Sequence, residues 1–335
     1  MRNTINQSEC FLGIDVGKTD LFCHLIHGND SFSAEFKNTQ TGIKKLIAWV
    51  EKLSNSHTIH TCMEATGHYT RLASKTLFTA FKGSLYVVNP RQIKAFSNRR
   101  LRRNKSDKAD ARLIAQFLIS EQNELKEFRP QTKVEQSIQE LSNQKEYYIR
   151  EVVKFKTQLQ CRDITYCQKS IERIIKTLEK EAERLEAQLD KLIAKNAQKK
   201  LNKELLLTVP GLASRTVNLL IAQLPSIEQF DSPRQLAAWI GVTPRHYESG
   251  TSGRVHTPIT KMGSSALRCG LFLPAMSAMG HNPVIKAFAN RLRENGKKGK
   301  VVVLACVRKL IHIIYAILKK QEAFNPSINS SIKAS

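Results

Sequence analysis

Two acidic residues stand at the ends of apolar segments that are typical of buried strands. Asp15 lies in the segment 11–17, and Glu64 ends the segment 58–64. A carboxylate beside a protein core is costly unless it binds a metal ion or hydrogen-bond donors. If the two strands are neighbours in one sheet, the two carboxylates converge at one edge of it. Each of them alone is also an ordinary turn residue.

A second pair of acids, Asp107 and Asp110, opens a predicted helix. Their three-residue spacing places them on one face of the helix, one turn apart. The helix dipole favours an Asp in any first turn, so neither residue is informative alone. A dense basic run precedes them, and we expect it to contact phosphates. Its members are Arg99, Arg100, Arg102, Arg103 and Lys105.

The four carboxylates together would form an oxygen-rich cage. Mg²⁺ prefers such hard ligands, with Mn²⁺ as a substitute. Two ions about 3.5–4 Å apart would clamp the attacking and leaving oxygens of an in-line phosphoryl displacement. This order of strands, helices and acids resembles the ribonuclease-H-like (RuvC-like) fold of Holliday-junction resolvases.

Two loops further along the chain could also contact a phosphate. Ser249 precedes a glycine in a polar loop, where its hydroxyl could reach a substrate, but serine needs a base or metal to become a nucleophile. Ser-Gly is common turn chemistry, and the residues alone favour that interpretation. Pro210-Gly211 opens a helix whose free N–H groups could receive a phosphate, as in helix-hairpin-helix elements. A tight turn between two packed helices explains it equally well.

The elements that must position these residues fall into three zones. Residues 9–128 read β-β-β-α-β-α-β-α, which predicts an α/β domain with a mixed sheet covered by helices. Residues 129–203 carry apolar residues at steps of four and three, which predicts a coiled coil or an antiparallel helical hairpin, serving as a rigid spacer or for dimerisation. Residues 204–323 predict a mostly helical domain, and 324–335 a disordered tail. The fold class is therefore α/β plus all-α.

Charge narrows the class of partner. The 335 residues include 53 Lys and Arg against 29 Asp and Glu, a formal net charge of +24 that attracts polyanions. No apolar run approaches the roughly 20 residues of a membrane span, and residues 1–8 lack the apolar core of a secretion signal. The seven cysteines include no C-x-x-C pair, which argues against a disulfide framework or zinc ribbon. We expect a cytoplasmic, nucleoid-associated protein that binds nucleic acid and no membrane.

The motifs resemble those of a known family. Segments 13–18, 63–67 and 104–111 look like the DEDD motif of insertion-sequence transposases of the IS-one-ten type, a group that includes pilin-gene DNA invertases. The third zone looks like the C-terminal transposase domain of that family. The matching segments there are 209–211, 239–244, 249–250, 260–263, 267–268 and 281–283.

The resemblance implies a DNA transposase or site-specific recombinase. Asp15, Glu64, Asp107 and Asp110 would hold Mg²⁺, and Ser249 would form a transient phosphoserine link to DNA. A structured bridge RNA would pair with donor and target DNA, and the chain would act as a homodimer or a dimer of dimers. We expect nucleic-acid contacts also at Gly211, Lys261 and Arg268.

Two other functions remain open. The first is a metal-dependent, structure-specific junction nuclease without a covalent intermediate, in which the third zone only binds DNA. The second is a non-enzymatic coiled-coil protein that binds nucleic acid. Substitution of Ser249 separates the transposase from the nuclease, and substitution of the acids separates both enzymes from the binding protein.

Overall fold

The structure is a computed structural model of the chain. It describes residues 9–54, 58–99, 107–161, 164–244 and 258–327, without the side chain of Asp107. The chain divides into two compact units, unit 1 (Met1–Pro130) and unit 2 (Gln131–Ser335). Five of the residues singled out above lie outside the described residues: Arg100, Arg102, Arg103, Lys105 and Ser249.

Unit 1 is a five-stranded mixed sheet with helices, as the sequence predicted. The strands are β1 (Glu9–Val16), β2 (Asp20–His27), β3 (Asp30–Lys37), β4 (Thr58–Glu64) and β5 (Leu85–Val88), and the helices are α1 (Gln40–Ser54), α2 (Thr70–Ala80), α3 (Pro90–Arg99) and α4 (Asp107–Glu121). The sheet order is β3-β2-β1-β4-β5, with β1 in the centre. The first three strands form an antiparallel meander, whereas β4 runs parallel to β1 and β5 parallel to β4.

The two faces of the sheet bury different helices, because successive side chains of a strand point to opposite faces. Leu12 and Ile14 of β1 belong to one apolar cluster with Ile43 of α1. Phe11 belongs to the cluster on the other face, with Ile114 of α4. Both clusters are buried, so the sheet is covered on both sides by helices.

Gly13 lets α4 cross β1 at very close range. A Cβ added at Gly13 would lie 2.3 Å from the carbonyl oxygen of Ala111 and 2.3 Å from the backbone nitrogen of Ala115. Both are backbone atoms that no rotamer change can move. Asp110, in the first turn of α4, lies near enough to Glu64 at the end of β4 to act on it electrostatically. The first turn of α4 therefore lies towards the carboxyl end of β4 and of its parallel neighbour β1.

Unit 2 is helical apart from one isolated β-bridge in its described part. Two long helices, α5 (Lys133–Leu159) and α6 (Thr165–Lys195), are followed in the described residues by six shorter helices. These are α7 (Ala197–Leu207), α8 (Ser214–Gln223), α9 (Pro233–Ile240), α10 (Ser265–His281), α11 (Pro283–Glu294) and α12 (Lys300–Lys320). The boundary expected near residue 203 falls inside α7.

Helices α5 and α6 pack against each other as an antiparallel hairpin. Lys145 Nζ lies 2.7 Å from Glu186 Oε2, and Lys156 Nζ lies 2.8 Å from Glu179 Oε1. As the residue number rises on α5, the number of its partner on α6 falls, which fixes the antiparallel direction. A capping box at Thr132 and Glu135 begins α5, since each side chain accepts a hydrogen bond from the other's backbone N–H.

Lys145 fills an apolar position of the α5 pattern and is buried with 1% of its side chain exposed. Its partner Glu186 also accepts a hydrogen bond from Asn218 Nδ2 of α8 at 2.8 Å. Asn218 Nδ2 donates to Asp190 Oδ1 at 2.7 Å, and Asp190 in turn pairs with Lys203 of α7. This network, here called the hairpin lock, joins α5, α6, α7 and α8.

Helix α12 lies in the core of unit 2. Its residues Val307, Leu310 and Ile314 are buried in the main apolar cluster of that unit. By length and composition α12 could span a membrane, with a mean hydropathy of 2.2, but 67% of the apolar window is buried inside the protein. This corrects the expectation that no apolar segment approaches that length. Arg308 and Lys309 interrupt the apolar run and conceal its length in the sequence.

The folded part of unit 2 extends into the segment expected to be a disordered tail. Phe324 packs against the main apolar cluster, and its backbone N–H donates to Thr208 Oγ1 at 2.9 Å. Residues 328–335 of that segment lie outside the described residues.

Candidate active site at the carboxyl edge of the sheet

Asp15 and Glu64 are brought together by the parallel pairing of β1 and β4. Ile14 is the register partner of Met63, so the next residue on each strand is the carboxylate. By alternation, Asp15 shares a face with Gly13, and Glu64 shares a face with Cys62. Both faces belong to the side of the sheet that α4 covers. Both carboxylates are half-buried, and the convergence expected from the sequence is confirmed for these two strand ends.

Helix α4 adds Asp110 to this edge. Ala111 lies against Gly13, and its neighbour Asp110 is near enough to the end of β4 to act electrostatically on Glu64. Burial raises the pKa of Glu64, and the negative charge of Asp110 raises it further. Two acids on different elements therefore sense each other's charge, which is the arrangement of a site that collects cations.

Asp107 is the first residue of α4, one helical turn before Asp110. The backbone thus sets it at the same end of the helix, although its side chain lies outside the described part. Among the described side chains, no three His, Cys, Asp or Glu residues are assembled closely enough to hold a metal ion. The hard oxygen donors and mutual repulsion at Glu64 and Asp110 nevertheless fit a divalent cation, because its charge would relieve that repulsion.

His24 is a neighbour of this site that the sequence reasoning missed. It is the register partner of Gly13 across β2 and is buried on the α4 face. Its Nδ1 lies 2.7 Å from Ser33 Oγ. Burial and then the positive charge of Arg112 lower the pKa of the imidazole, so His24 offers the acids no compensating charge. A histidine among apolar residues of β2, at the inward-facing positions, was the signal available in the sequence.

The basic run before α4 is described only at its start. Arg99 is the last residue of α3 and is exposed. Its position at the end of α3, just before the undescribed residues that lead into α4, keeps it available to a ligand in solution. The phosphate contacts expected of this run stay a prediction.

The segment that carries Ser249 is held at its two ends. Pro244 and Ile259 form an antiparallel β-bridge on either side of residues 245–257. The N–H of Thr260 donates to the carbonyl oxygen of Thr243 at 2.9 Å, and the N–H of Lys261 donates to that of Gly241 at 3.1 Å. Ser249 itself lies outside the described residues.

Arg268 joins the chain on the two sides of the segment that carries Ser249. Its Nη1 donates to the carbonyl oxygens of Ile240 at 2.9 Å and Gly263 at 3.0 Å, joining the end of α9 to the segment before α10. Lys261 is exposed and has a φ of 53°, a left-handed conformation that only a tightly built turn imposes on a lysine. The structure thus gives Arg268 a structural contact and leaves Lys261 open to solvent.

Two further motif segments of unit 2 have structural roles. Gly211 has a φ of 101°, and an added Cβ would lie 2.8 Å from Ala278 of α10. Asn282 is fully buried and caps α11, accepting hydrogen bonds from the N–H groups of Val284 and Ile285. These contacts explain the glycine and the asparagine without a ligand. The nucleic-acid contact expected at Gly211 stays a prediction.

Two transposase family models match the chain, and the first covers the four acids on β1, β4 and α4. Residues 12–162 match the DEDD transposases of IS110 elements, and residues 203–290 match the transposase family IS116/IS110/IS902. The chain is 30% identical over 325 residues to the pilin gene-inverting protein of Moraxella bovis, covering 96% of this chain and 99% of that protein. The chain belongs to the IS110 family of transposases. It is therefore an enzyme that acts on DNA, as the motifs predicted.

Other IS110-family and transposase relatives cover part of the chain. A protein of insertion element IS110 from Streptomyces coelicolor is 28% identical over 136 residues, 40% of this chain and 32% of that protein. Among solved structures, the chain is similar to T. thermophilus RuvC in complex with Holliday junction substrate. The two are 14% identical with a TM-score of 0.27, over 36% of this chain and 99% of that one.

Proposed function

We propose that this IS110-family transposase cuts and rejoins DNA strands by transesterification at the carboxyl edge of the unit 1 sheet. The observation that carries the proposal is the convergence of Asp15 and Glu64 at paired strand ends, with Asp110 near enough to act on Glu64, whose pKa is raised by burial and then by that charge. Charges of one sign gathered at the edge of a nuclease-like sheet are what a metal-dependent phosphoryl-transfer site requires. Unit 1 is on this proposal a ribonuclease-H-like catalytic domain.

Asp15, Glu64, Asp107 and Asp110 are the residues that would hold the divalent metal, with Mg²⁺ as the ion of choice and Mn²⁺ as its substitute. A bound divalent ion would neutralise charge on the phosphoryl oxygens and lower the barrier to attack. The protein's own contribution is to keep the carboxylates converged: β1 and β4 fix two of them, and the Gly13 contact fixes the third.

Ser249 is the proposed nucleophile. Its Oγ forms a bond to phosphorus, the bond between phosphorus and a sugar oxygen breaks, and the departing sugar hydroxyl takes up the proton that the serine loses. Attack on the phosphoserine by the hydroxyl of another strand reverses this step, so strands are exchanged without an external energy source. The β-bridge at Pro244 and Ile259 supports the proposal, because it fixes both ends of the segment that carries Ser249.

A structured bridge RNA and self-association complete the proposal. The net charge of +24 suits an RNA as well as two DNA duplexes. The hairpin of α5 and α6 presents two large apolar side chains near its tip, Ile164 at 67% and Tyr166 at 76% exposure, which a second copy could cover. Light scattering of the protein, alone and with nucleic acid, tests this part, and a monomer in both states would exclude the dimer.

The experiment for the whole proposal is denaturing gel electrophoresis of the protein incubated with its element-end DNA, its RNA and Mg²⁺. We expect a covalent protein–DNA band that maps by mass spectrometry to the peptide containing Ser249. The band should disappear in Ser249→Ala, in EDTA and in Asp110→Asn.

The alternatives predict different gels. A junction nuclease would cut strands without any covalent band and would be indifferent to Ser249→Ala. A protein that only binds nucleic acid would leave the strands intact under every condition. A covalent adduct on Tyr247, Ser252, Ser264 or Ser265 would refute the assignment of Ser249 and leave the recombinase standing.

A further inference from the structure

Helix α12 carries three basic side chains in the middle of an otherwise buried, apolar sequence. Arg308 and His312 lie four residues apart, on the least buried stripe of the helix, and both are half-buried. Lys309 is only 7% exposed. Burial of a cation in a helical core is costly, so three ionisable groups in five residues need a physical reason.

Neighbouring helices bring more positive charge to the same place. Helix α9 packs against α12, and Arg234, near the start of α9, acts electrostatically on His312. Helix α11 packs on another side, and Arg291 acts on Lys309. The guanidinium of Arg291 is held 5.4 Å above the ring centroid of Phe288. We call Arg234, Arg291, Arg308, Lys309 and His312 the α12 basic cluster.

The charges within this cluster oppose one another. Burial, followed by the positive charges of Arg308, Lys309 and Arg234, lowers the pKa of His312 to about 4. Burial and then Arg291 lower the pKa of Lys309. Glu228 and Asp231 act on Lys319, two turns beyond His312 along α12. The positive charges of the cluster therefore disfavour the protonated forms of Lys309 and His312.

Two polar atoms of the cluster also lack a partner. Arg308 Nε and His312 Nε2 are buried and make no hydrogen bond to any of the residues that the structure describes. Arg308 Nε is always protonated, so it needs an acceptor. Buried donors are almost always satisfied in folded proteins, and an exception points to an absent ligand. An anion with several acceptor oxygens would accept from Arg308 Nε and, in the tautomer with its proton on Nε2, from His312, and its charge would offset the neighbouring cations.

We propose that the α12 basic cluster binds a phosphodiester group of a nucleic-acid backbone. Guanidinium groups suit phosphate because their N–H donors match its oxygens in pairs. The segment 283–320 contains ten Lys and Arg and one acid, Glu294, so it can follow a polyanion beyond one phosphate. Lys297 and Lys298 are exposed in the connection that leads into α12, and Lys300 is exposed at the first position of α12. The cluster contacts the backbone and not base edges, so it adds affinity without sequence preference.

The inference rests on nucleic acid as the partner of this transposase, and its test is kept apart from catalysis. Binding of duplex DNA to the full chain is measured by fluorescence anisotropy in EDTA, over a range of salt concentrations. Arg234→Gln removes an exposed member of the cluster, and Arg308→Gln removes its centre. The matched control is Lys320→Gln, the same charge change on the same helix but roughly 18 Å along its axis from Arg308.

We expect each cluster variant to weaken binding about ten-fold and to reduce the salt dependence by about one counterion. Lys320→Gln should change binding much less, and Arg308→Lys should recover only part of the affinity because it retains the charge but loses Nε and the paired donors. Unchanged affinity and salt dependence in Arg234→Gln, which changes an exposed side chain and leaves the fold intact, would overturn the inference. Equal losses in Lys320→Gln would overturn it as well, since they would reflect overall charge.

Two further readouts identify the ligand. In NMR titrations, inorganic phosphate should raise the pKa of His312 from about 4, since a bound anion favours the imidazolium. The same anisotropy titration with an RNA hairpin in place of the DNA duplex shows which nucleic acid occupies the cluster. Weaker binding of either one by the cluster variants supports the site. A loss with polyglutamate but with neither nucleic acid would assign the cluster to an acidic protein and overturn the inference. Strand cleavage that survives substitution of the acids, by contrast, would overturn the proposed catalysis and leave this site untouched.

Discussion

The two units bury charge in opposite ways. At the sheet edge of unit 1, Glu64 and Asp110 are acids that face each other, and the pKa of Glu64 is raised. In the hairpin lock of unit 2, Lys145 is more deeply buried, yet its Nζ lies 2.7 Å from the carboxylate of Glu186. Opposite charges that neutralise each other inside the chain hold helices together. Charges of one sign left facing each other require a partner from outside, so charge imbalance marks a binding site better than burial does.

The α12 basic cluster repeats the first pattern with the opposite sign. There burial and like charges lower the pKa of His312, as they raise the pKa of Glu64 at the sheet edge. A metal cation would balance the acids and a phosphate would balance the cluster. A nucleic-acid backbone supplies phosphates and is accompanied by metal cations.

The largest expected effect separates activity from stability at the sheet edge. Asp15→Asn, Glu64→Gln and Asp110→Asn should each lower strand cleavage by about 1,000-fold or more, because parts of one reaction centre act together. The fold should remain, since the changes at Glu64 and Asp110 remove charges that repel each other and Asp15→Asn keeps the shape of the side chain. Cleavage gels and urea unfolding measure the two quantities. The control is Glu51→Gln, an exposed acid on α1, the helix that packs on the opposite face of the sheet. Full strand cleavage by any two of the three acid variants would contradict the assignment of the sheet edge as the active site.

The hairpin lock should show the reverse behaviour. Lys145→Ala leaves Glu186 without its buried cation, and we expect it to lower the free energy of unfolding by about 3–5 kcal/mol. The matched control is Lys156→Ala, which breaks an exposed pair between the same two helices and should cost about 1 kcal/mol or less. Urea denaturation measures both. Equal losses in the two variants would show that the burial of Lys145 does not matter.

Gly13→Ala links fold and site in unit 1. The added Cβ would lie 2.3 Å from backbone atoms of α4, so the helix must move. We expect a loss of about 1–3 kcal/mol in the free energy of unfolding and a fall in cleavage, because Asp110 moves with the helix. The control is Gly280→Ala in α10, where an added Cβ meets nothing within 4 Å. Normal cleavage in Gly13→Ala would contradict the role of this contact in positioning Asp110.

The smallest effects concern pH, and their directions sharpen the comparison. Glu64 has a raised pKa, so the folded chain holds more protons than the unfolded chain between the two pKa values, and this residue lowers stability as pH rises through that window. Burial alone would raise the pKa of Asp190, but hydrogen bonds from Lys203 and Asn218 lower it. Asp190 therefore stabilises the fold above its unfolded pKa, and this contribution is lost as pH falls through the folded one.

Denaturation of wild type, Glu64→Gln and Asp190→Asn in EDTA across the acid range checks both directions. Relative to wild type, Glu64→Gln should gain stability as pH rises, whereas Asp190→Asn should lose it. The same pH trend in the two variants would mean that the two regions do not differ as described.

The sequence predicted the order of strands and helices along the chain, and it predicted the convergence of two acids on the condition that their strands are neighbours, because both depend on local patterns. Asp15 and Glu64 end apolar runs, and the structure shows that those runs pair as parallel neighbours. The role of Gly13 could not be predicted, since it depends on which helix crosses which strand. Lys145 appeared as a gap in the apolar pattern, but its partners Glu186 and Asn218 are distant in sequence. The same holds for the α12 basic cluster, whose members come from three helices.

The most direct test of the central claim is the binding of Mn²⁺ to the metal-free protein. Electron paramagnetic resonance measures this binding as a loss of the signal of the free ion. The account predicts saturable binding in wild type and in Glu172→Gln, which changes an exposed acid of the hairpin. It predicts binding weaker by about ten-fold or more in Glu64→Gln and Asp110→Asn, because each removes a charged oxygen ligand. Equal affinity in all four proteins, or no binding by wild type, would contradict the assignment of this edge as a metal site.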